Sequence, residues 1–512
     1  MVNIAVLGYG TVGSGVVEVI NTNHNSINKR AGAEINIKYV LDLRDFPGDP
    51  VEKVLVHDYD VIANDPEVDI VVEVMGGIEP AYTFVKRALE SGKSVCTSNK
   101  ALVAKHGPEL MEIAREKNIN FLFEASCGGG IPIIRALNSS LTADEIDEIT
   151  GILNGTTNYM MYKMSTEGCE FDTVLKEAQA KGYAEADPTA DVEGYDACRK
   201  IAILSSLAYG KFLNYEDIYT EGITKITPED MQYAEELDMT IKLLGTSRKI
   251  GDDSFYAMVA PFLVGKSSPL YSVNDVFNAV FVHGNVLGDA MFYGSGAGKL
   301  PTASAVVADV VDEAKHLHKN IMTNWSSKPL ELIPMDEVEG RFFVRVEGTT
   351  VDQVEAVFDD VEIVNLKNLP GEFGFITTKM KQGEYLGSIP PYGFQIEKID
   401  GKRTLVSEPV TSEIVREIFN RYASGETFVS LVKWLYRQKI HRPSDYKKYK
   451  TVYQQEGQQL RQWERESIRF LLTNDAYIGN LVQSGKHMKE QITAEHTHEP
   501  LVSEEVFYRV WE

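Results

Sequence analysis

A β-rich run, Val2–Leu7, passes without a gap into Gly8-Tyr9-Gly10-Thr11-Val12-Gly13, after which Val12, Val16, Val17 and Ile20 recur at helical spacing. Strand, glycine turn and helix in that order constrain this chain more than any other feature, because they open a dinucleotide-binding fold. Gly8 permits the tight turn, Gly10 lets the backbone approach a pyrophosphate, and Gly13 lets helix and strand pack closely. The helix start at Thr11 and Val12 then presents free N–H groups to phosphates. A glycine pattern of this kind is weak alone, and a merely tight turn is the alternative. Its context here favours the cofactor.

A second strand over Ile35–Leu41 ends at Asp42. A carboxylate there would accept hydrogen bonds from the ribose hydroxyls of NAD, whereas Arg44 would pair with the 2′-phosphate of NADP. The spacing from the glycines is longer than usual, and a solvated Asp42–Arg44 pair explains the residues equally well. NAD or NADP is left open. Further strands are expected over 70–74, 94–97 and 121–123, ending in Met75-Gly76-Gly77, Ser98-Asn99-Lys100 and Glu124. Ligands of open α/β sheets lie beyond the carboxyl ends of the strands, so nicotinamide and substrate should meet there. Lys100 is read either as a functional cation or as a surface lysine starting a helix.

Two later stretches look chemical. Asn154-Gly155-Thr156-Thr157-Asn158-Tyr159-Met160 offers hydroxyl, amide and backbone donors to a small polar ligand, or is an ordinary capped loop. A carboxylate-rich turn, Lys181-Gly182-Tyr183-Ala184-Glu185-Ala186-Asp187, follows about thirty residues later and leads into a helix bearing Asp196 and Lys200. These two are four apart on one helix face, where an i,i+4 salt bridge of about 0.3–0.5 kcal/mol is the simple explanation.

With these residues in view, the chain resembles homoserine dehydrogenases over residues 1–380. The motifs carrying the resemblance are the glycine turn, Thr97-Ser98-Asn99-Lys100-Ala101-Leu102, Glu124-Ala125-Ser126-Cys127-Gly128-Gly129-Gly130-Ile131-Pro132, the Asn154 and Glu185–Lys200 stretches, and Gly296-Ala297-Gly298 with Pro301-Thr302-Ala303. The resemblance implies reversible hydride transfer between NAD(P)H and L-aspartate 4-semialdehyde, giving L-homoserine. It also implies Lys200 and Lys100 as catalytic lysines, and Glu185 and Asp196 as an acidic pair suited to the substrate ammonium, with Asn154, Gly155 and Thr156 beside them. Gly76, Ser98, Lys100 and Gly298 join the glycine turn in the cofactor set. A monovalent cation, sodium, is implied at Glu124 and the backbone of Cys127, Gly129 and Ile131, as is a homodimer through the catalytic domain. An ammonium can protonate a developing alkoxide and stabilise its charge. Two lysines in reach should each lower the other's pKa.

The organisation expected is α/β: a Rossmann domain over 1–135, an α+β substrate and dimerisation domain over 136–325, an ACT-like segment over 338–380, and a mainly helical tail over 381–512. The ACT resemblance begins at Arg341-Phe342-Phe343-Val344-Arg345-Val346 but stops short of the family's last helix and strand, so threonine feedback is not expected. The tail departs in charge. Residues 387–512 hold 18 Lys+Arg against 17 Asp+Glu, a net of +1, while the rest carries −25 of the chain's −24. Its Pro390-Pro391-Tyr392-Gly393 opening, Asn474-Asp475-Ala476-Tyr477-Ile478-Gly479 and His498-Glu499-Pro500 resemble the DNA-binding domain of large serine recombinases, without that family's catalytic serine domain or cysteine-rich region. Helices are expected over 411–424, 427–438 and 463–472. The basic, tyrosine-interleaved run His441–Lys450 reads as phosphate-contacting or as a solvated loop.

Four scattered cysteines, no apolar run near the roughly 18 residues of a membrane span, and no leader pattern point to a cytoplasmic protein without a structural zinc. The leading reading is thus a homoserine dehydrogenase carrying a recombinase fragment. The rival is a DNA-binding fusion, without recombinase activity, that uses the dehydrogenase body as a scaffold. Its tail charge is weak for that task.

Overall fold

β1 (Val2–Leu7) runs parallel to β2 (Ile35–Leu41) on one side and β4 (Ile70–Glu73) on the other. With β3 (Leu55–Val56), β5 (Ser94–Thr97) and β6 (Phe121–Leu122) it forms a parallel sheet of order β3-β2-β1-β4-β5-β6. This is the Rossmann order, with its switch point between β1 and β4. The computed structural model describes residues 1–251, 254–355, 358, 360–381, 390–399, 402–483, 492–494 and 497–509, in two units, Met1–Ile333 and Pro334–Glu512.

β4 and β5 are buried along their whole length, as strands covered on both faces must be. α1 (Thr11–Thr22) covers one face. α2 (Ala81–Glu90) and α3 (Lys100–Glu116) cover the other, placing Val85, Leu89, Leu102 and Val103 in the core. The second sheet of this unit has the order β12-β11-β7-β9-β10-β8. It is built from β7 (Ile146–Ile152), β8 (Tyr219–Thr220), β9 (Met239–Lys249), β10 (Phe255–Gly265), β11 (Phe277–Gly284) and β12 (Gly288–Ser295), antiparallel except where β8 meets β10. α4 (Gly155–Glu167) and α5 (Tyr195–Tyr209) bury Met160, Ile201 and Leu204 with Ile149, Leu243 and Val280 of this sheet.

The chain then returns. α6 (Lys299–Lys315) lies beyond residue 136 yet packs Val306 and Val310 with Val16 and Ile20 of α1 on the first sheet. The close approach needs a small residue, since a Cβ at Gly15 would stand 2.9 Å from Lys299 O. No local pattern in the sequence announces this return, which unites the ends of the unit.

In the second unit β13 (Glu339–Gly340) pairs with a short strand over Met380–Lys381, while β14 (Phe343–Glu347), β15 (Glu362–Val364) and β16 (Glu372–Ile376) form an antiparallel sheet of order β14-β16-β15. A helix, Val351–Glu355, packs Val354 on Phe373 and Phe375. Beyond it α7 (Thr411–Ala423), α8 (Phe428–Arg437), α9 (Pro443–Tyr449) and α10 (Arg465–Leu472) gather Ile418, Phe419, Leu431, Leu435, Ile468 and Tyr477 into a separate core. The basic run at 441–450 is therefore mostly helix α9, with Pro443 at its first turn. Asp445 on α9 is buried, and Arg461 Nε donates to its two oxygens at 2.9 and 3.1 Å. Arg442 pairs with Glu464 at 2.6 Å. Residues 382–389, at the start of the tail, lie outside the described residues. No helix among the described residues is long and apolar enough to cross a membrane.

Candidate active site

The glycine turn has the geometry its sequence requires. Gly8 has φ +98°, Gly10 caps α1, and a Cβ at Gly13 would lie 1.9 Å from Gly8 O. A Cβ at Gly10 would meet nothing within 4 Å, so the turn's outer side is open at the N-terminus of α1, where Thr11 and Val12 sit. Asp42, just past β2, accepts the Tyr9 N–H at 2.8 Å and is clamped by Arg44 through Nε at 2.9 Å and Nη2 at 3.0 Å. That guanidinium holds the Asp42 carboxyl well below the usual carboxylate range. Both candidates for the ribose end of the cofactor thus stand beside the turn, bonded to each other.

The ends of β4 and β5 are stitched together. Thr97 Oγ1 donates to the buried Glu73 at 2.5 Å, Ser98 N to Glu73 O at 3.2 Å, and Asn99 Nδ2 to Gly77 O at 2.6 Å. Burial raises the Glu73 carboxyl. This fixes Gly76 and Ser98 in adjacent loops and sets the start of α3, whose N-cap is Asn99 and whose first residue is Lys100.

Lys100 reaches across to the second sheet's helices and forms an ion pair with Asp196 Oδ1. Asp196 Oδ2 receives Lys200 Nζ at 2.6 Å and Asn154 Nδ2 at 2.9 Å. Lys200 Nζ also donates to Leu153 O at 2.7 Å. Asn154 does two jobs: its Oδ1 caps α4 by accepting Thr157 N at 2.9 Å, while its Nδ2 bridges Asp196 and Asp191, the latter at 2.7 Å. Burial alone would raise the Asp196 carboxyl, but Lys200 and Lys100 override it and hold it below the carboxylate range. Burial likewise lowers Lys100, and Asp196 more than reverses this, so Lys100 titrates above its ordinary value. The expected mutual depression of the two lysines does not hold at Lys100, because a carboxylate stands between them.

Glu185 is exposed in the turn before α5, where its backbone carbonyl accepts Gln179 Nε2 at 3.0 Å. Two residues earlier, Tyr183 O accepts Thr156 Oγ1 at 2.6 Å, so this turn is tied to the end of α4 that carries Asn154 and Gly155. Asp191, whose carboxyl is raised by burial, lies four residues past the carboxylate-rich turn, and the sequence alone does not single it out as a site residue. Its partner Asn154 was the clue.

Glu124 is buried. Its oxygens accept the N–H groups of Ile134 at 2.9 Å and Arg135 at 2.7 Å, and its own N–H donates to Asp309 at 2.9 Å. The loop after it turns through Gly128 and Gly129, with φ +70° and +55°. Gly130 N donates to Ser295 O at 3.1 Å, which brings Cys127, Gly129 and Ile131 beside the loop ending at Gly298, the N-cap of α6. The buried Cys127 thiol is pushed up to about 12 by burial, and its Sγ lies 3.7 Å from Lys200 O. Among the described residues no group of three or more His, Cys, Asp or Glu could hold a metal ion.

Comparison with known proteins agrees with this arrangement. Family models match for the NAD-binding domain of homoserine dehydrogenase over residues 8–124, homoserine dehydrogenase over 132–311 and recombinase over 409–512. The homoserine dehydrogenase of Neisseria gonorrhoeae is 42% identical over 381 residues, covering 70% of this chain and 85% of that protein. That of Synechocystis is 47% identical over 317 residues, covering 61% and 73%. Among solved structures, homoserine dehydrogenase from Thiobacillus denitrificans superposes with a TM-score of 0.67 at 38% identity, covering 74% of this chain and 91% of that one. A hyperthermophilic archaeal homoserine dehydrogenase in complex with NADPH gives 0.51 at 29% identity, covering 61% and 97%. With a Rossmann sheet, a nucleotide turn and this similarity across most of its relatives' length, the chain belongs to the homoserine dehydrogenase family.

Proposed function

We propose that this chain catalyses the reversible reduction of L-aspartate 4-semialdehyde to L-homoserine, using Lys200 and Lys100 as its acid–base pair. The observation that carries the assignment is Asp196, which pairs with both lysines from a buried position. NAD(P)H supplies the hydride when bound; Gly8, Gly10, Thr11, Val12, Gly13, Gly76, Ser98 and Gly298 hold it, with Asp42 or Arg44 at its ribose end. Opening the Asp42–Arg44 pair is a cost common to both cofactors, so NAD and NADP are to be compared directly. Glu185 and Asp196 receive the substrate ammonium, and Asn154, Gly155 and Thr156 position its polar end. Lys200, with two of its hydrogen bonds already fixed, gives a proton to the aldehyde oxygen as negative charge develops there. Asp196 keeps both ammonium groups aimed.

Sodium would be held by Glu124 and the carbonyls of Cys127, Gly129 and Ile131. A buried carboxylate beside neutral backbone oxygens suits a hard cation of low charge. Its place beside Gly298 makes its contribution structural.

A homodimer would form through the open face and free edge of the second sheet. There β12 is exposed on alternate residues, Met291 and Tyr293 are solvent-facing, and Phe262 and Phe281 are only partly covered. Four free cysteines agree with a cytoplasmic setting.

The test is oxidation of NADPH and of NADH by the full-length chain with aspartate semialdehyde, beside Lys200→Ala. Turnover in the wild type and its collapse in the variant supports the assignment. Equal rates in both would remove these lysines from the mechanism.

A further inference from the structure

Asn278 lies in β11 on the face that meets the helices. It is 1% exposed, and neither its carboxamide oxygen nor its nitrogen has a hydrogen-bond partner among the described residues. Two glycines lie against it. A Cβ at Gly296 would stand 2.1 Å from Asn278 Cγ, and one at Gly155 would stand 3.4 Å from Asn278 Oδ1. Gly296 in turn abuts Gly129, where a Cβ would come within 2.5 Å of the Gly296 carbonyl oxygen. Two segments therefore converge on one side chain, the loop before α6 and the first turn of α4, and the glycine loop after Glu124 packs against the first of them.

A carboxamide offers two donors and an acceptor, and buried groups of this kind are almost always paired. Left unpaired it is unfavourable, and an apolar side chain of similar size would fill the space without that cost. The peptide groups beside it belong to the 294–298 loop and to the end of α4. The N–H groups of the first turn of a helix need partners from outside it.

We propose that Asn278 is a positioning residue for hydride transfer. Its carboxamide hydrogen-bonds the Gly296–Ala297 backbone once NAD(P) is seated against the 294–298 loop, and so holds the cofactor loop in register with the substrate end of α4. The inference rests on the cofactor and substrate assignments made above. The glycines at 129, 155 and 296 are then part of the same device, since a side chain at Gly155 or Gly296 would crowd the carboxamide and one at Gly129 would displace the loop.

The experiment uses the full-length chain and three readouts: the dissociation constant for NADPH from its fluorescence, kcat/KM with aspartate semialdehyde, and the thermal midpoint without cofactor. Asn278→Ala is expected to weaken NADPH binding about tenfold, the worth of one hydrogen bond of ordinary net strength, while the midpoint holds or rises. Gly296→Ala, which drives a methyl into the same carboxamide, should weaken binding in parallel. If Asn278→Ala does not fold, Asn278→Ser removes the same contact with a smaller change and is read in the same way. A lower midpoint with unchanged NADPH affinity and kcat/KM would show a merely structural residue and overturn the proposal. A wild type that neither binds nor oxidises NADPH would overturn the dehydrogenase assignment and this inference together. A wild type that does both, beside variants of unchanged affinity, overturns the inference alone.

Discussion

Asp196 Oδ2 lies 2.6 Å from Lys200 Nζ, one helical turn along α5, with both side chains buried. A buried pair that also engages Lys100 and Asn154 is more than a helix-surface salt bridge. Lys200→Ala is expected to lower kcat by on the order of 10²-fold or more, since it removes a proton donor from the transition state. Asp196→Asn should cripple turnover as well, by freeing both lysines. Steady-state rates with aspartate semialdehyde check this, and near-normal values in both variants would take α5 out of the active site.

Lys242 offers a pH test away from the chemistry. It is 1% exposed, and its Nζ donates to Asn158 Oδ1, Val273 O and Asn274 Oδ1 at 3.1, 2.7 and 2.9 Å. Burial brings its pKa down to about 8. The unfolded chain, with an ordinary lysine value of about 10.4, then binds the extra proton between these values. Stability from this residue therefore grows as pH rises through about 8 and is fully present above about 10. Denaturant midpoints of wild type and Lys242→Met should diverge in the wild type's favour across that window. A flat difference would mean that Lys242 stays charged in the fold.

Threonine should not inhibit. The three strands of the second unit's sheet leave β14 with one strand neighbour among the described residues, and one helix covers them. Assays with added threonine should show unchanged rates. Inhibition that disappears on deleting residues 341–380 would reverse this conclusion.

The first unit contains both sheets and every proposed site residue, so a chain ending at Ile333 should keep full dehydrogenase activity. Limited proteolysis of the whole chain between about residues 379 and 388, most of which lie outside the described residues, should likewise release an active enzyme. Loss of activity on either cut would show that the tail has been recruited into the enzyme.

The released tail is expected to bind duplex DNA weakly, with affinity that collapses as salt rises. Its net charge is only +1, and Arg442 and Arg461 are already paired with Glu464 and Asp445. Tight, salt-resistant binding would require contacts other than phosphate neutralisation.

Much of this was legible along the chain. The β1 strand, the Gly8–Gly13 turn and α1 follow from local pattern, as do α7 and α8, whose apolar stripes end within a residue or two of the expected bounds. Asp196 and Lys200 share a helix face by spacing alone. What spacing cannot show is contact between distant segments. Lys100 at the start of α3 meets Asp196 on α5, α6 returns to the first sheet from residue 299, and Asn278 looks in sequence like any polar interruption of a strand. The run at 441–450 was hard for another reason: its charges suggest solvent, but the buried Asp445 pairs with Arg442 of the run and with Arg461 of the following loop.

Lys100 starts a helix of the first sheet, whereas Asp196 and Lys200 ride on a helix of the second. With α3 and α5 together the three side chains sum to one positive charge; with the helices apart, Asp196 and Lys200 cancel and the remaining cation faces solvent. On the roles proposed for these lysines, a separation of the two helices would therefore also change the electric field at the aldehyde. The surplus charge proposed to meet a forming alkoxide would then exist only while the two helices touch, and an open form would exchange substrate and cofactor without being poised to react.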